Sequence, residues 1–220
     1  MGFTFMVKEG FKFGLPPLIL GLALVCLAKL AGIGGAWVFA VGIVLAILGV
    51  FVFFFFRDPE RKIPGDANSV VSPADGHVVE IVEESIGSQP GQRISIFLSV
   101  FDVHVNRSPV AGRIAGVEYR PGRFYAAMRK RASEQNEMNV ITVATPRGNI
   151  VFKQIAGAIA RRVLCWKAAG DAVALGERVG MIRFGSRVDL WLPKDAEILV
   201  RRGEKVAGGS SILAKWKSTV

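Results

Sequence analysis

Two hydrophobic patterns meet near Arg57. Ahead of it, Leu15 to Phe56 is an almost unbroken run of Leu, Val, Ala, Ile, Gly and Phe that carries one charge, Lys29. Its second part, Ala36 to Phe56, is 21 residues without a charge. At about 1.5 Å per residue a helix of that length reaches roughly 30 Å, the thickness of a bilayer's hydrocarbon. Leu15 to Ile33 predicts a first helix, with Pro16 and Pro17 at its start, where a missing N–H costs little, and Lys29 able to snorkel. Gly32, Gly34 and Gly35 supply a short turn. The runs 15–33 and 36–56 therefore predict a two-helix transmembrane hairpin behind a basic N-terminal segment, 1–14. Lys8 and Lys12 precede it and Arg57, Arg61 and Lys62 follow it, so the positive-inside rule puts both ends in the cytoplasm. A secretory signal peptide is the competing reading of a basic start before an apolar run, but no clear A-x-A site separates the two runs.

Beyond Arg57 the period changes. The Pro- and Gly-punctuated stretch Arg57 to Gly65 ends the helix and opens a linker, 57–69. The apolar runs that follow are short, rich in Val, Ile and Phe, and separated by turn residues: Val78 to Val82, Ile94 to Val105, Arg113 to Tyr119, Val140 to Thr145, Ile150 to Ile155, Val188 to Leu192 and Ala196 to Val200. They predict a mainly β soluble domain over 70–220. Phe124 to Gln135 has helical character and is basic; a lid, a membrane-facing segment and a solvated short helix all fit it. Ser72 to Val78 and Leu175 to Gly180 have the turn-rich strand pattern of lipoyl and biotinyl carriers, a barrel-sandwich-like arrangement. No lysine occupies a carrier's hairpin tip, so the likeness concerns strands and not carrier function.

Composition sharpens this picture. At 51% hydrophobic and 21% charged the chain is too apolar for an ordinary soluble domain of its size. The formal charge of +10 suits an anionic bilayer surface, with a solvated basic face as the bland alternative. Nucleic acid is the weaker partner, because aromatic residues concentrate in Phe51 to Phe56 and not among the basic ones. Cys26 and Cys165 are too few for a disulfide framework or a metal site and read as buried packing residues. With His77 and His104 the only histidines, a His-rich metal centre is not expected.

Chemistry points to Gly185-Ser186. A serine hydroxyl is one residue's reach from the preceding carbonyl, and glycine there removes the Cβ that would resist an attack-ready backbone. If a base takes the Ser186 proton, its oxygen can convert the amide to an ester. Elimination then leaves a carboxylate on Gly185 and dehydroalanine at 186, whose tautomer hydrolyses to ammonia and a pyruvoyl group. Gly208-Gly209-Ser210-Ser211 also sets serine after glycine, in what reads as a flexible loop. On residue type alone Asp75 fits a turn aspartate and His104 a core histidine.

The passage Arg183-Phe184-Gly185-Ser186-Arg187-Val188-Asp189 resembles the self-cleavage motif of phosphatidylserine decarboxylases of the short bacterial and archaeal type. Ser72-Pro73-Ala74-Asp75-Gly76, Phe101-Asp102-Val103-His104-Val105-Asn106-Arg107, Ala132-Ser133-Glu134-Gln135-Asn136-Glu137 and Ala160-Arg161-Arg162-Val163 resemble family segments in the same order. The resemblance implies a lyase made as a zymogen and cut into a beta chain, 1–185, and an alpha chain, 186–220, paired as a heterodimer or in a higher homo-oligomer. It implies a triad of Ser186 as nucleophile and later pyruvoyl, His104 as base and Asp75 orienting it. The cofactor would be that covalent pyruvoyl group, forming a Schiff base with the membrane phospholipid substrate, without metal or pyridoxal phosphate. Arg161, Arg162, Arg183 and Arg187 have the guanidinium fork that suits a phosphate or carboxylate. Some relatives carry a second histidine where this chain has Phe101, which leaves His77 as a candidate proton donor. The location implied is the cell's inner membrane, with the domain facing the cytoplasm. A function of another class is a membrane-tethered binding or scaffold module without covalent chemistry.

Overall fold

The computed structural model describes residues 6–30, 32, 34–86, 89–129, 131–158, 162–183 and 186–217. It divides into two compact units, Met1–Glu60 and Arg61–Val220.

The first unit holds two helices long and apolar enough to cross a membrane, α1 (Lys8–Leu30) and α2 (Gly35–Phe55). α1 starts at Lys8, ahead of the predicted Leu15, so Pro16 and Pro17 lie inside the helix and not at its start. Each proline gives up one main-chain hydrogen bond, a loss that neighbouring helices and local adjustment offset in apolar surroundings. The helices meet along a glycine seam. A Cβ on Gly21 would lie 2.4 Å from the Ala46 amide nitrogen, and one on Gly49 2.6 Å from the Leu18 Cβ. Small residues let the two backbones approach this closely, which is how helices associate where lipid removes the hydrophobic drive. Cys26 is exposed on α1, and Cys165 in the second unit is half-buried. Neither is the buried packing residue read from the sequence, and for Cys26 the reason is that α1 is apolar on its exposed face as well as its packed one, so an apolar neighbourhood in sequence does not imply burial.

The second unit is mainly β, as its short Val-, Ile- and Phe-rich runs between turn residues predict. Its strands are β1 (Ser69–Val71), β2 (Gly76–Glu83), β3 (Gly91–Leu98), β4 (Val105–Arg107), β5 (Gly112–Arg120), β6 (Met138–Thr145), β7 (Gly148–Ala156), β8 (Val163–Cys165), β9 (Ala172–Val173), β10 (Arg178–Ile182), β11 (Ser186–Pro193), β12 (Ala196–Ile198), β13 (Lys205–Val206) and β14 (Ile212–Trp216). Eight form one sheet in the order β13-β2-β3-β11-β7-β6-β5-β9; two three-stranded sheets, β1-β14-β12 and β4-β10-β8, complete the unit. The apolar run Ile94 to Val105 is broken by a turn. Asp102 Oδ2 accepts from Ser99 N at 2.8 Å and Ser99 Oγ at 2.7 Å, and Asp102 N returns a bond to Ser99 O at 3.0 Å. A short acidic side chain satisfying local amides in this way ends a strand.

The helical stretch predicted over 124–135 shrinks to α3 (Ala132–Gln135). Asn136 prevents a longer helix. Its Oδ1 accepts from Tyr125 N at 2.9 Å and its Nδ2 donates to Tyr125 O at 2.8 Å, so the preceding segment is held as a loop by side-chain bonds that compete with helical ones.

β11 lies mid-sheet and is buried on both faces. Val188, Leu190 and Leu192 enter the main core with Ile94, Ile96, Phe152 and Leu213. The alternate residues Arg187 and Asp189 face the other side, as strand periodicity requires. There Arg187 Nε donates to Asp189 Oδ1 at 2.5 Å, and Arg187 Nη2 to Ser95 Oγ at 2.7 Å and Glu80 Oε2 at 3.2 Å. Arg93 joins through Glu80 at 3.0 Å and Glu84 at 2.7 Å, and Ser133 Oγ donates to Asp189 Oδ2 at 2.7 Å. Burial alone would raise the Glu80 carboxyl, but hydrogen bonds and charge from Arg93 and Arg187 outweigh it and hold it below the ordinary carboxylate value. Burial pushes the neighbouring Lys153 ammonium down, against the pull of Asp189.

Candidate active site

Strand register assembles the site. Ser186 opens β11 and pairs with Leu98, the last residue of β3, on one side and with Ala156, the last residue of β7, on the other. His77, next to the start of β2, pairs with Phe97. The loops that precede β2 and follow β3 therefore emerge at the end of the sheet where Ser186 stands. Asp75 belongs to the first of these loops and His104 to the second.

The His104 loop is also fastened to the strand leading toward Ser186: Ile182 N donates to His104 O at 3.2 Å, just beyond the β10–β4 pairing of Met181 with Val105. Three residues after Ile182 comes Gly185, which lies outside the described residues, as does Arg161. Ser186 itself is fully buried. Among the described residues, Ser186 Oγ and Asn106 Nδ2 are buried without a hydrogen-bond partner. A buried hydroxyl left unmatched costs stability, so packing alone does not account for a serine at this position.

His104 is fully buried, and its Nδ1 lies 2.9 Å from the Asp102 carbonyl oxygen. A carbonyl can only accept, so Nδ1 carries the hydrogen and, in the neutral ring, Nε2 keeps the lone pair, the tautomer a base requires. Asp75 sits at the same end of the sheet but spends its carboxylate elsewhere. Arg61 Nη2 donates to both of its oxygens, at 2.9 and 2.8 Å, and Gly208 N donates to Oδ1 at 2.7 Å. The glycine after Asp75 is dictated by geometry: Gly76 has φ 142°, and a Cβ there would lie 2.1 Å from the Phe97 carbonyl oxygen.

The arginines read from the sequence part company. Arg183 N donates to Arg162 O at 3.1 Å, which joins the backbones of these two residues three positions ahead of Ser186 in the chain. Arg187 is instead buried in the ionic network on the opposite face of β11. His77 is exposed on β2, and because it shares Phe97 as partner with Arg187, register puts it on that opposite face too. Ser210, the other serine after a glycine run, belongs to a tied turn and not a loose loop: Gly209 N donates to Ser72 O at 2.8 Å and Ser72 N to Ser211 O at 2.8 Å.

Residue type alone gave no reason to single out several participants. Arg61 reads as linker charge, Asp102 as a turn residue, and Asn106 as an ordinary polar neighbour of His104. Asn106 Oδ1 accepts from Gln154 Nε2 at 2.9 Å, and Gln154 pairs with Val188, two residues along the strand from Ser186. Only pairing across long sequence separations reveals this chain. No group of three or more His, Cys, Asp or Glu able to hold a metal occurs among the described residues.

Comparisons with known proteins bear on the family. The family model described as "Phosphatidylserine decarboxylase" matches residues 48–214. A phosphatidylserine decarboxylase proenzyme of Solibacter usitatus (strain Ellin6076) is 49% identical over 194 residues, 88% of this chain and 92% of the relative. One of Syntrophus aciditrophicus (strain SB) is 44% identical over 217 residues, 97% of this chain and 98% of the relative. A third, of Symbiobacterium thermophilum, is 48% identical over 197 residues, 88% of this chain and 90% of the relative. With a family model over residues 48–214 and 44% identity across 97% of its length, the chain belongs to the phosphatidylserine decarboxylase family.

Proposed function

We propose that this chain is a membrane-anchored proenzyme that cuts its backbone between Gly185 and Ser186 and then decarboxylates phosphatidylserine to phosphatidylethanolamine and CO₂. The observation that carries the reading is the buried, unpartnered Ser186 Oγ at the head of a central strand, within a family whose relatives are named proenzymes.

His104 Nε2 takes the Ser186 proton, and the Asp102 carbonyl holds the ring in the tautomer that can do so. The Ser186 oxygen attacks the carbonyl of residue 185 and displaces the amide nitrogen, giving an ester. Loss of the Cα proton of 186 expels residue 185 as a carboxylate, and water releases ammonia to leave the keto terminus. Asp75 supports the imidazolium that forms, by charge from its place beside Gly76 or by exchanging Arg61 for the ring. The resulting pyruvoyl carbonyl supplies an electrophile for the substrate amine and a sink for the electrons freed as CO₂ departs. Arg162 and Arg183 face the task of holding the anionic headgroup, together with Arg161. Arg187 is committed to its ion pairs, and register turns His77 away from Ser186.

The cut leaves the domain intact, because the fragment 186–220 contributes β11 between β3 and β7, β14 between β1 and β12, and β13 on β2. These ladders keep the two chains together as a heterodimer. Positive charge at both ends of the helix pair puts the β domain on the cytoplasmic side of the cell membrane. Incubation of the purified full chain with phosphatidylserine in detergent tests the function. Ethanolamine lipid should accumulate, and its absence from fully cut protein would overturn the assignment.

A further inference from the structure

The end of the sheet that carries Ser186 also carries an apolar and basic surface, and we infer that this surface docks onto the anionic face of the bilayer. Register fixes the location. Ser186 pairs with Ala156, Ile155 with Met138, and Met138 with Arg120, the last residue of β5. The segment 121–137 therefore leaves the sheet at the Ser186 end, as does the 99–104 turn that follows Leu98. Among the described residues of Arg61–Val220, four of the seven large hydrophobic side chains left exposed belong to this end: Phe101 (65%), Met128 (64%), Tyr119 (55%) and Phe124 (40%); the others are Ile63, Trp166 and Leu199.

The same stretch is basic. Arg120 is paired with Glu118 just ahead of it, at 2.7 and 2.8 Å, and from Tyr119 to Arg131 the chain has no acidic residue, so the net positive charge of the stretch comes from Arg123, Arg129, Lys130 and Arg131. Exposed aromatic and thioether groups interleaved with arginine suit the headgroup boundary, where apolar groups enter the acyl region and each cation gains about 1 kcal/mol near an anionic surface. A membrane is favoured over a protein partner because the proposed substrate is itself an anionic lipid and must reach Ser186 at this end.

The segment is tied to the end of the sheet. Asn136 Nδ2 donates to Ala156 O at 2.6 Å as well as to Tyr125 O, so the loop is pinned to the residue that pairs with Ser186 while Phe124 and Met128 remain outward. Docking of these side chains would set the depth at which a headgroup meets the strand end.

This inference rests on the decarboxylase reading, and its test separates the two. Phe124→Asp and Met128→Asp in the full chain are compared with wild type on bilayer phosphatidylserine in proteoliposomes and on a water-soluble short-chain phosphatidylserine. Self-cleavage and the soluble-substrate rate should stay within about twofold, while the bilayer KM rises about tenfold, the effect of setting a charge against the acyl boundary. Equal loss on both substrates, or no loss on either, would overturn docking. Hydrogen exchange of the wild-type chain in nanodiscs needs no activity: amides of 121–131 should slow when phosphatidylserine replaces phosphatidylcholine, and unchanged exchange would also overturn it. A wild type inactive on both substrates would sink the decarboxylase reading alone.

Discussion

Arg61 and Asp75 form a two-pronged ion pair, with Arg61 Nη2 2.9 and 2.8 Å from the two carboxylate oxygens, at the end of the sheet where Ser186 stands. The aspartate that the resemblance assigns to His104 is thus occupied by a residue of the preceding linker. If Asp75 supports His104, Asp75→Asn should slow self-cleavage by about tenfold or more, within the range of general acid–base effects, and Arg61→Ala should not slow it. Time courses of newly made protein on denaturing gels would show this. Cutting of Asp75→Asn at the wild-type rate would remove Asp75 from the chemistry.

Ser186→Ala should remain one polypeptide and show no decarboxylation, because it removes the hydroxyl that the proposed cut uses as nucleophile. Ser210→Ala, in its tied turn, should cut normally. Intact mass spectrometry distinguishes the fragment 186–220 from 210–220, and a cut Ser186→Ala chain would sink the proposal.

Asp189 is fully buried between Arg187 and Ser133. Asp189→Ala leaves Arg187 buried with fewer partners and should cost ~3–5 kcal/mol, the usual penalty for breaking a buried pair. Ser133→Ala removes one hydrogen bond to a carboxylate and should cost ~1–3 kcal/mol. Denaturant midpoints in detergent would rank the two, and the reverse order would contradict the network.

Glu80 gives the fold an acid limit. Its carboxyl is held below the ordinary value of 4.5 in the folded state, so its contribution is complete above that value and is lost as pH falls through the folded one. The thermal midpoint should therefore drop below pH 4.5, and Glu80→Gln, less stable at neutral pH, should drop less. Parallel acid profiles for the two proteins would exclude Glu80 as a source of the limit.

The sequence by itself determined the elements whose signal is local. An uncharged run of bilayer length specifies a helix wherever it sits, and short runs rich in Val, Ile and Phe between turn residues, such as Ile150 to Ile155, specify strands. The cut proposed at Gly185-Ser186 is likewise a local reading, because the attack would span one peptide bond. The helix predicted over 124–135 failed because Asn136, beyond its end, bonds back to Tyr125, a competition that propensity does not register. The tertiary structure alone decided which groups share the end of the sheet with Ser186. Leu98, Ala156 and Ile182 N on His104 O bring together segments far apart in the chain, and register sends Arg187 and His77 to one face and Ser186 to the other. Those relations depend on hydrogen-bond ladders between distant strands, and a one-residue slip in any of them would reverse which side chains meet.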